Sequence, residues 1–331
     1  VLVGIAFAFS DRRSAIDWRM VATGVVLQLV FAVLVILVPG GRQFFEVLSA
    51  IFVRVISFSL DGAAFIFGKL ADPSSLGFIF AFQVLPTIIF FASLMAVLYP
   101  LGIMQKVVQG MAWVMFKALR ISGAESLAVA ANVFVGQTEA PLVVRPYISR
   151  MTDSELLTMM IGGMATIAGG VLAAYITMLG GADEAARIFY AKHLLSASIM
   201  AAPATIVIAK ILKPETGESL TRGEVRLHVE KTATNVIEAA ANGAADGWRL
   251  ALNVGAMLLA FISLVAMLNW MLGFAHTSLG AILGWAFSPV AWVMGVPWSE
   301  ATSFGALLGT KISVNEFLAY IQLGEAKAAG S

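Results

Sequence analysis

The sequence predicts an all-α polytopic membrane protein with two re-entrant helical hairpins in an inverted repeat, unwound transmembrane helices and interfacial helices. Of its 331 residues, 60% are hydrophobic and only 12% are charged, whereas soluble domains carry about 25% charged residues. Long uncharged runs recur along the chain, as in proteins that cross a membrane several times. Two polar segments, 136–141 and 309–316, each separate apolar stretches shorter than the roughly 20 residues that a membrane helix needs.

Composition also excludes several functions. The net charge of +1 gives no global field that would attract nucleic acid. The absence of cysteine excludes disulfides, thiolate metal sites and a cysteine nucleophile. The three histidines have no metal-ligand spacing, and no nucleophile–base pair is evident, so we do not expect an enzyme.

The first third of the chain predicts membrane helices and helices along the interface. We expect helices over 1–38, the first of them beginning before the sequence does, and a further spanning helix over 76–101. The segments 40–70 and 102–120 have a helical apolar face but little spanning hydrophobicity, which predicts interfacial helices. Ordinary connecting helices packed on other spans are the alternative for both.

The remaining segments alternate short polar interruptions with apolar helices. The first re-entrant hairpin is predicted over 121–150, apolar helices over 153–210, a polar cytoplasmic linker over 211–245, a spanning helix over 246–272 and a second hairpin over 298–331. Paired interrupted segments at matching positions of two halves are the best sequence indication of a transporter's binding site.

Basic residues predict the sidedness of these segments. Lys and Arg cluster around 106–120, 145–150 and 210–231, which places these regions in the cytoplasm. Arg120 and Arg150 then lie on one side of the membrane, as a hairpin between them requires.

The tip of the first hairpin carries groups suited to a polar ligand. Thr138 is expected to cap the second arm, which leaves the Gln137 amide and the Glu139 carboxylate directed at one spot. Such groups form paired hydrogen bonds with sugar hydroxyls or the edge of a base. The alternative is a solvated surface loop, which the apolar arms disfavour because a carboxylate in hydrocarbon survives only in an enclosed polar site.

Two further groups of residues could take part. Glu316, beside Asn315, is interpreted as a second carboxylate for ligand hydroxyls; the alternative is an ion pair with Lys311, for which a five-residue helical spacing is a poor match. Gly169-Gly170 could either allow close helix packing or unwind a helix and free carbonyls for a cation.

Together these motifs resemble the concentrative nucleoside transporter family, in particular its bacterial sodium-coupled members. The resemblance is carried by 136–142, 145–147, 166–169, 309–317 and 242–255, and it extends over essentially the whole chain. It implies homotrimers in the inner membrane that import nucleosides with Na⁺, or with H⁺ in some members, by an elevator-like movement.

The resemblance also implies roles for individual segments and residues. The segments 1–38, 76–101 and 246–272 would form a scaffold, and 121–150, 153–210 and 298–331 a transport domain. The residues implied to contact the nucleoside are Gln137, Thr138, Glu139, Val171 and Glu316. Those implied to form the sodium site are Asn132, Val135, Thr166 and Ile167.

The sequence departs from the family pattern at two places, and alternatives remain. Thr166 stands where serine is expected, which keeps the hydroxyl. The family also implies two helices after Ser331, with further substrate contacts. Proton coupling through a buried Glu139 or Glu316 is the main alternative; a passive channel is disfavoured because the polar groups concentrate at two tips instead of lining a pore.

Overall fold

The computed structural model describes residues 1–137, 140–221 and 234–328, and every regular element within them is a helix. The first half contains α1 (Leu2–Ala8), α2 (Trp18–Ile36), α3 (Pro39–Phe67), α4 (Pro73–Leu76), α5 (Phe80–Gln83), α6 (Leu85–Leu98), α7 (Ile103–Leu119), α8 (Gly123–Asn132), α9 (Ala140–Val143) and α10 (Arg145–Ile148). The second half contains α11 (Asp153–Ala165), α12 (Gly169–Gly180), α13 (Glu184–Leu212), α14 (Val236–Gly273), α15 (Leu279–Val293), α16 (Trp298–Ser313) and α17 (Glu316–Ala328). The all-α prediction is confirmed.

Six helical segments in the described part of the chain are long and apolar enough to cross a membrane. They are Trp18–Ile36, Pro39–Ala71, Phe80–Leu98, Asp153–Gly180, Glu184–Leu212 and Val236–Gly273. A seventh span results if α15 and α16, which are bent by 116° relative to each other, are counted as one broken helix. The chain therefore has the helices of a multi-pass membrane protein.

Several elements differ in length from the predicted ones. The predicted interfacial region 40–70 is a continuous 29-residue helix that begins with Pro39 in its first turn, where proline costs no hydrogen bond. It satisfies the length and composition of a span, so its place at the interface remains a prediction. The helix predicted over 246–272 begins ten residues earlier, where Asn235 accepts a hydrogen bond from the Glu238 amide and caps it.

Close helix packing explains one of the glycine motifs. A Cβ on Gly243 would lie 2.5 Å from the Ala96 Cβ, and one on Gly247 would lie 2.8 Å from the Ile89 Cα. Both distances are shorter than real Cβ contacts, so α14 reaches α6 only because these positions lack side chains. The motif at 242–247 is therefore a helix-packing motif.

The structure narrows the position of the predicted second tip. Of the polar segment 309–316, the residues Gly309-Thr310-Lys311 lie inside α16. A Cβ on Gly309 would lie 2.7 Å from the Leu283 Cβ in α15, so this glycine serves helix packing. The helical conformation is interrupted later, at Val314 and Asn315, between α16 and α17.

Candidate functional site

The site is organised around a break between α11 and α12. These helices form one apolar segment, Asp153–Gly180, interrupted at 166–168. Thr166 is extended, with φ −116° and ψ 160°, so the chain leaves the helical conformation here. Since α11 has 13 residues and α12 has 12, the break falls near the middle of a span.

The first arm of the first hairpin runs beside α11. Near their starts, Thr158 Oγ1 of α11 donates a 2.8 Å hydrogen bond to Glu125 Oε1 of α8. At their ends, Thr166 Oγ1 donates a 2.8 Å hydrogen bond to the backbone oxygen of Asn132. The two helices are therefore parallel, and the hairpin tip lies level with the break.

The length of α8 sets the distance between the start of the hairpin and its tip. Its ten residues rise about 15 Å, about half of a 30 Å hydrocarbon core. The chain turns back at 133–137. Thr221 then contacts the start of both helices: its backbone oxygen accepts a hydrogen bond from the Gly123 amide of α8, and its hydroxyl donates one to Glu155 of α11. A polar turn reached by a half-length helix is the geometry expected of a re-entrant hairpin.

The predicted sodium ligands lie around this turn. Asn132, the last residue of α8, is 1% exposed, and its side-chain oxygen and nitrogen have no hydrogen-bond partner among the described residues. A Cβ on Gly162 would lie 3.1 Å from the Asn132 Nδ2, so the glycine makes room for the amide. Val135 is buried in the turn, Thr166 ends α11 and Ile167 lies in the break. The structure thus brings Asn132 and Thr166 into contact and places the other two beside them along the chain.

The predicted nucleoside contacts on this tip are described in part. Gln137 is exposed at the tip, and a Cβ on Gly163 would lie 2.8 Å from the Gln137 Cβ. Thr138 and Glu139 lie outside the described residues. The second arm resumes at Ala140, whose amide donates a 3.0 Å hydrogen bond to the Gly136 backbone oxygen.

The second tip holds the other predicted carboxylate. Asn315 caps α17 by accepting a 2.8 Å hydrogen bond from the Leu318 amide, and Glu316 begins the helix. Lys311 Nζ lies 2.9 Å from Glu316 Oε1, so the ion pair that the sequence spacing disfavoured does form. That argument was wrong because it assumed one continuous helix, whereas the helix is interrupted at Val314 and Asn315, between the two residues.

Aromatic side chains pack this second tip against α12. The Phe317 and Tyr175 ring centroids are 5.0 Å apart, and Tyr320 stacks on Tyr175 at 3.9 Å with an interplanar angle of 14°. Further along α17, Lys327 Nζ donates a 3.0 Å hydrogen bond to the Leu179 backbone oxygen. The helix α17 therefore runs from the middle of α12 toward its C-terminal end.

The two hairpins approach α12 from opposite directions. The first contacts its start, where the Gly169 amide donates a 3.0 Å hydrogen bond to the Phe134 backbone oxygen. The second contacts Tyr175, six residues later and about 9 Å along the axis. Val171 lies between these contacts and packs partly buried against the cluster that contains Phe317. The first tip thus reaches the start of α12 and the second tip its middle.

Some residues of this arrangement were missed by the sequence interpretation. Tyr175 and Tyr320 seat the second tip, but they sit in apolar runs that predict only core packing. Lys210 was counted as a cytoplasmic basic residue, yet it is 5% exposed and lies 2.6 Å from Glu125. The spacing of Lys210 and Glu125 in the sequence, 85 residues, carries no signal of this contact.

Comparison with protein families identifies the chain over nearly its whole length. Residues 1–70 and 193–331 match models described as the N-terminus and the C-terminus of Na⁺ dependent nucleoside transporters, and residues 81–182 match one described as nucleoside recognition.

Curated relatives and solved structures agree with these matches. An uncharacterized transporter of Haemophilus influenzae is 45% identical, with 98% of this chain and 78% of the relative covered. The nucleoside permease NupC of Helicobacter pylori is 42% identical, over 98% of this chain and 77% of the permease. The sodium/nucleoside cotransporter 2 of Rattus norvegicus is 40% identical, and the match covers 98% of this chain and 48% of the rat protein.

The structure of CNTnw in an inward-facing substrate-bound state superimposes with a TM-score of 0.90 and 46% identity, covering 97% of this chain and 78% of CNTnw. CNTnw variants have also been solved in outward-facing and intermediate states. The matching proteins are transporters and not enzymes, and the apolar helices make this chain a multi-pass integral membrane protein. The chain belongs to the concentrative family of Na⁺-dependent nucleoside transporters.

Proposed function

We propose that this protein imports nucleosides by coupling their movement to a sodium gradient, through an elevator-type alternating-access mechanism. The observation that carries the proposal is the approach of two opposed hairpin tips to one stretch of α12. A substrate held there touches elements from both halves of the chain, so its binding can be linked to their movement.

The nucleoside is assigned to the space between the tips. Gln137 and the two residues after it, Thr138 and Glu139, would contact the base. Glu316 would accept hydrogen bonds from ribose hydroxyls, and Val171 would contribute apolar contact. Carboxylates and amides recognise such hydroxyls and base edges by paired hydrogen bonds.

Sodium is assigned to the turn at the end of α8. Na⁺ is a hard cation that takes oxygen ligands, as Ca²⁺ and Mg²⁺ do. Asn132 supplies a buried side-chain oxygen with no partner among the described residues, and Thr166 supplies a hydroxyl 2.8 Å from the Asn132 backbone oxygen. Val135 and Ile167 would add backbone carbonyls. Because an unpaired buried amide costs free energy, a bound cation would stabilise this turn and so couple Na⁺ to the tip.

The moving unit is proposed to comprise 121–150, 153–210 and 298–331, and the fixed unit to include 1–38, 76–101 and 246–272. We further propose a homotrimer in the bacterial inner membrane. Structures of CNTnw in inward-facing, intermediate and outward-facing states support an alternating-access cycle in this family.

Uptake into proteoliposomes tests the function. We expect saturable uptake of radiolabelled uridine under an inward Na⁺ gradient and little uptake when choline replaces Na⁺. Saturation at low flux also separates a transporter from a passive channel. A lack of saturable uptake with any cation gradient would refute nucleoside import.

A pH-gradient arm separates sodium from proton coupling. Liposomes with an inward H⁺ gradient and no Na⁺ are expected to show only background uptake. Concentrative uptake in that arm would replace sodium by protons as the coupling ion and leave the nucleoside assignment intact.

A further inference from the structure

A network of buried polar groups lies at the base of the first hairpin, away from both tips. At its centre is Lys210, near the C-terminal end of α13 and only 5% exposed. Its Nζ lies 2.6 Å from Glu125 Oε1 in α8 and 3.2 Å from Glu215 Oε2, and it donates a 2.9 Å hydrogen bond to Ser154 Oγ in α11. We call the segment 214–221, which contains Glu215, the strap. One ammonium group thus joins α8, α11 and the strap.

Hydroxyl groups complete the network. Thr158 Oγ1 donates to Glu125 Oε1 and Thr152 Oγ1 donates to Glu215 Oε2, both at 2.8 Å. The strap also contacts Glu155 of α11, whose Oε1 accepts a 2.8 Å hydrogen bond from Thr221 Oγ1. Buried charges are stable only when paired and hydrogen-bonded. These contacts therefore allow few alternative arrangements of the three segments.

Apolar side chains such as Leu127 and Ile211 pack around α8, whereas the side that faces the strap is polar and open. A cavity of about 430 Å³ adjoins the network, and it is lined by Asp11, Arg12, Thr152, Asp153, Ser154, Lys213, Pro214, Glu215, Thr216 and Gly217. Polar contacts, more than close packing, therefore hold the strap at the hairpin base.

The base is connected rigidly to the tip. The helix α8 is unbroken from Gly123 to Asn132, so a tilt at Glu125 displaces Asn132 and the turn after it. We propose that Lys210 is a positioning residue of the first hairpin, whose charge sets the orientation of α8 and thereby the placement of the tip. This inference rests on the proposed function, which assigns nucleoside and Na⁺ binding to that tip.

Spin labelling reports the tip directly, since the chain contains no cysteine. A nitroxide on Leu142→Cys, at a position 59% exposed in the second arm, is expected to become more mobile in Lys210→Met. The KM values for uridine and for Na⁺ are expected to rise about tenfold, because a displaced tip binds both more weakly.

Lys213→Met is the matched control. Lys213 is three residues further along, and its Nζ pairs with the exposed Asp153 at 3.0 Å. Since exposed ion pairs contribute little, this variant is expected to leave the label spectrum and both KM values unchanged. Equal effects of the two variants would contradict a specific role of Lys210.

A double variant separates positioning from folding. Lys210→Met leaves two carboxylates without their ammonium, and Glu125→Gln removes the charge of the more deeply buried one, which is 2% exposed against 25% for Glu215. The melting temperature of the double variant is therefore expected to recover most of the loss. The label mobility and the raised KM values are expected to persist. Recovery of KM and of the wild-type spectrum, or a failure of the double variant to assemble, would overturn the proposal. Wild-type protein that transports no nucleoside would instead refute the proposed function, while the label spectra would still decide the role of Lys210.

Discussion

At the residue scale, two groups compete for the Glu316 carboxylate in the second tip: the Lys311 ammonium and, in the proposed site, a ribose hydroxyl. Lys311 Nζ lies 2.9 Å from Glu316 Oε1, and the two side chains are 46% and 27% exposed. In the proposed site, a ribose hydroxyl bound to Oε1 takes the place of this partly solvated ammonium. The two residues should therefore affect nucleoside affinity in opposite directions.

Glu316→Gln is expected to weaken nucleoside binding. It removes a charge-assisted hydrogen bond, worth about 1.5–3 kcal/mol, so the Kd measured by calorimetry should rise at least tenfold. Glu325→Gln is the control, because Glu325 is an exposed carboxylate on the same helix. An unchanged Kd for Glu316→Gln would exclude this residue from the site.

Lys311→Met is expected to strengthen nucleoside binding severalfold, because it removes the competitor for Glu316. The same calorimetric titration measures it. In the double variant Lys311→Met with Glu316→Gln, this gain should disappear, since residues that act through one contact are not additive. A gain that persists in the double variant would show that Lys311 acts elsewhere.

Sequence reasoning at this scale identified candidate ligands but not their partners. Asn132 and Thr166 were assigned to one site by family resemblance, and the structure brings them into contact. The pairing of Lys210 with Glu125 was invisible, because it joins helices 85 residues apart. A count of cytoplasmic charges treats each lysine side chain as solvated, whereas Lys210 is buried against the Glu125 carboxylate.

At the element scale, the motif at 242–247 contributes to the family resemblance, yet its glycines are explained by helix packing. Gly243 and Gly247 face α6 so closely that a Cβ on either would meet its atoms at less than 3.0 Å. In membranes, such small residues allow the close approach that holds helices together.

Gly247→Ala is therefore expected to lower the melting temperature of the purified protein. Its methyl group would lie 2.8 Å from the Ile89 Cα, a backbone atom that cannot move aside cheaply, and overpacking costs about 1–3 kcal/mol. Gly255→Ala on the same helix is the control, because its methyl group meets the Leu85 Cδ1 at an ordinary 3.4 Å.

The control variant should be slightly more stable than the wild type, since alanine exceeds glycine in helix propensity by about 1 kcal/mol. The two substitutions thus differ in sign. A loss of stability in both, or in neither, would mean that the contact between α14 and α6 does not limit stability.

Element types and order were largely predictable, whereas boundaries and reversals were not. Uncharged runs located the spans, because hydrocarbon demands continuous apolar surface. The turn of the second hairpin was predicted only to within the polar segment 309–316, since glycine marks both tight turns and tight packing. Only the neighbouring helix α15 reveals which applies at Gly309.

At the scale of the whole molecule, the contact between α2 and α13 joins the proposed fixed and moving units. A Cβ on Gly24 would lie 2.3 Å from the Val207 Cγ2, so the two backbones are very close here. An elevator movement must separate or slide this contact, whereas contacts inside one unit persist through the cycle. A covalent link across it should therefore stop transport without abolishing binding.

Cysteines at positions 24 and 207 test this directly in a chain that has none of its own. The Cβ atoms of Gly24→Cys and Val207→Cys fall within the roughly 3.5–4.5 Å that a disulfide requires, and Val207→Cys also removes the methyl group that would obstruct the new side chain. Oxidation is expected to abolish Na⁺-driven uridine uptake, reduction to restore it, and the cross-linked protein to retain nucleoside-dependent thermal stabilisation. Loss of labelling by a maleimide polymer measures the extent of cross-linking.

The matched control joins two helices of the proposed scaffold, through Leu85→Cys in α6 and Gly255→Cys in α14, bridged by a short bifunctional thiol reagent. Because these helices belong to the same unit, uptake should survive the link. Full uptake with a complete link between positions 24 and 207 would contradict an elevator that moves α13 against α2. In that case the substrate would have to cross by movement of the hairpin tips alone, with α11, α12 and α13 remaining in place.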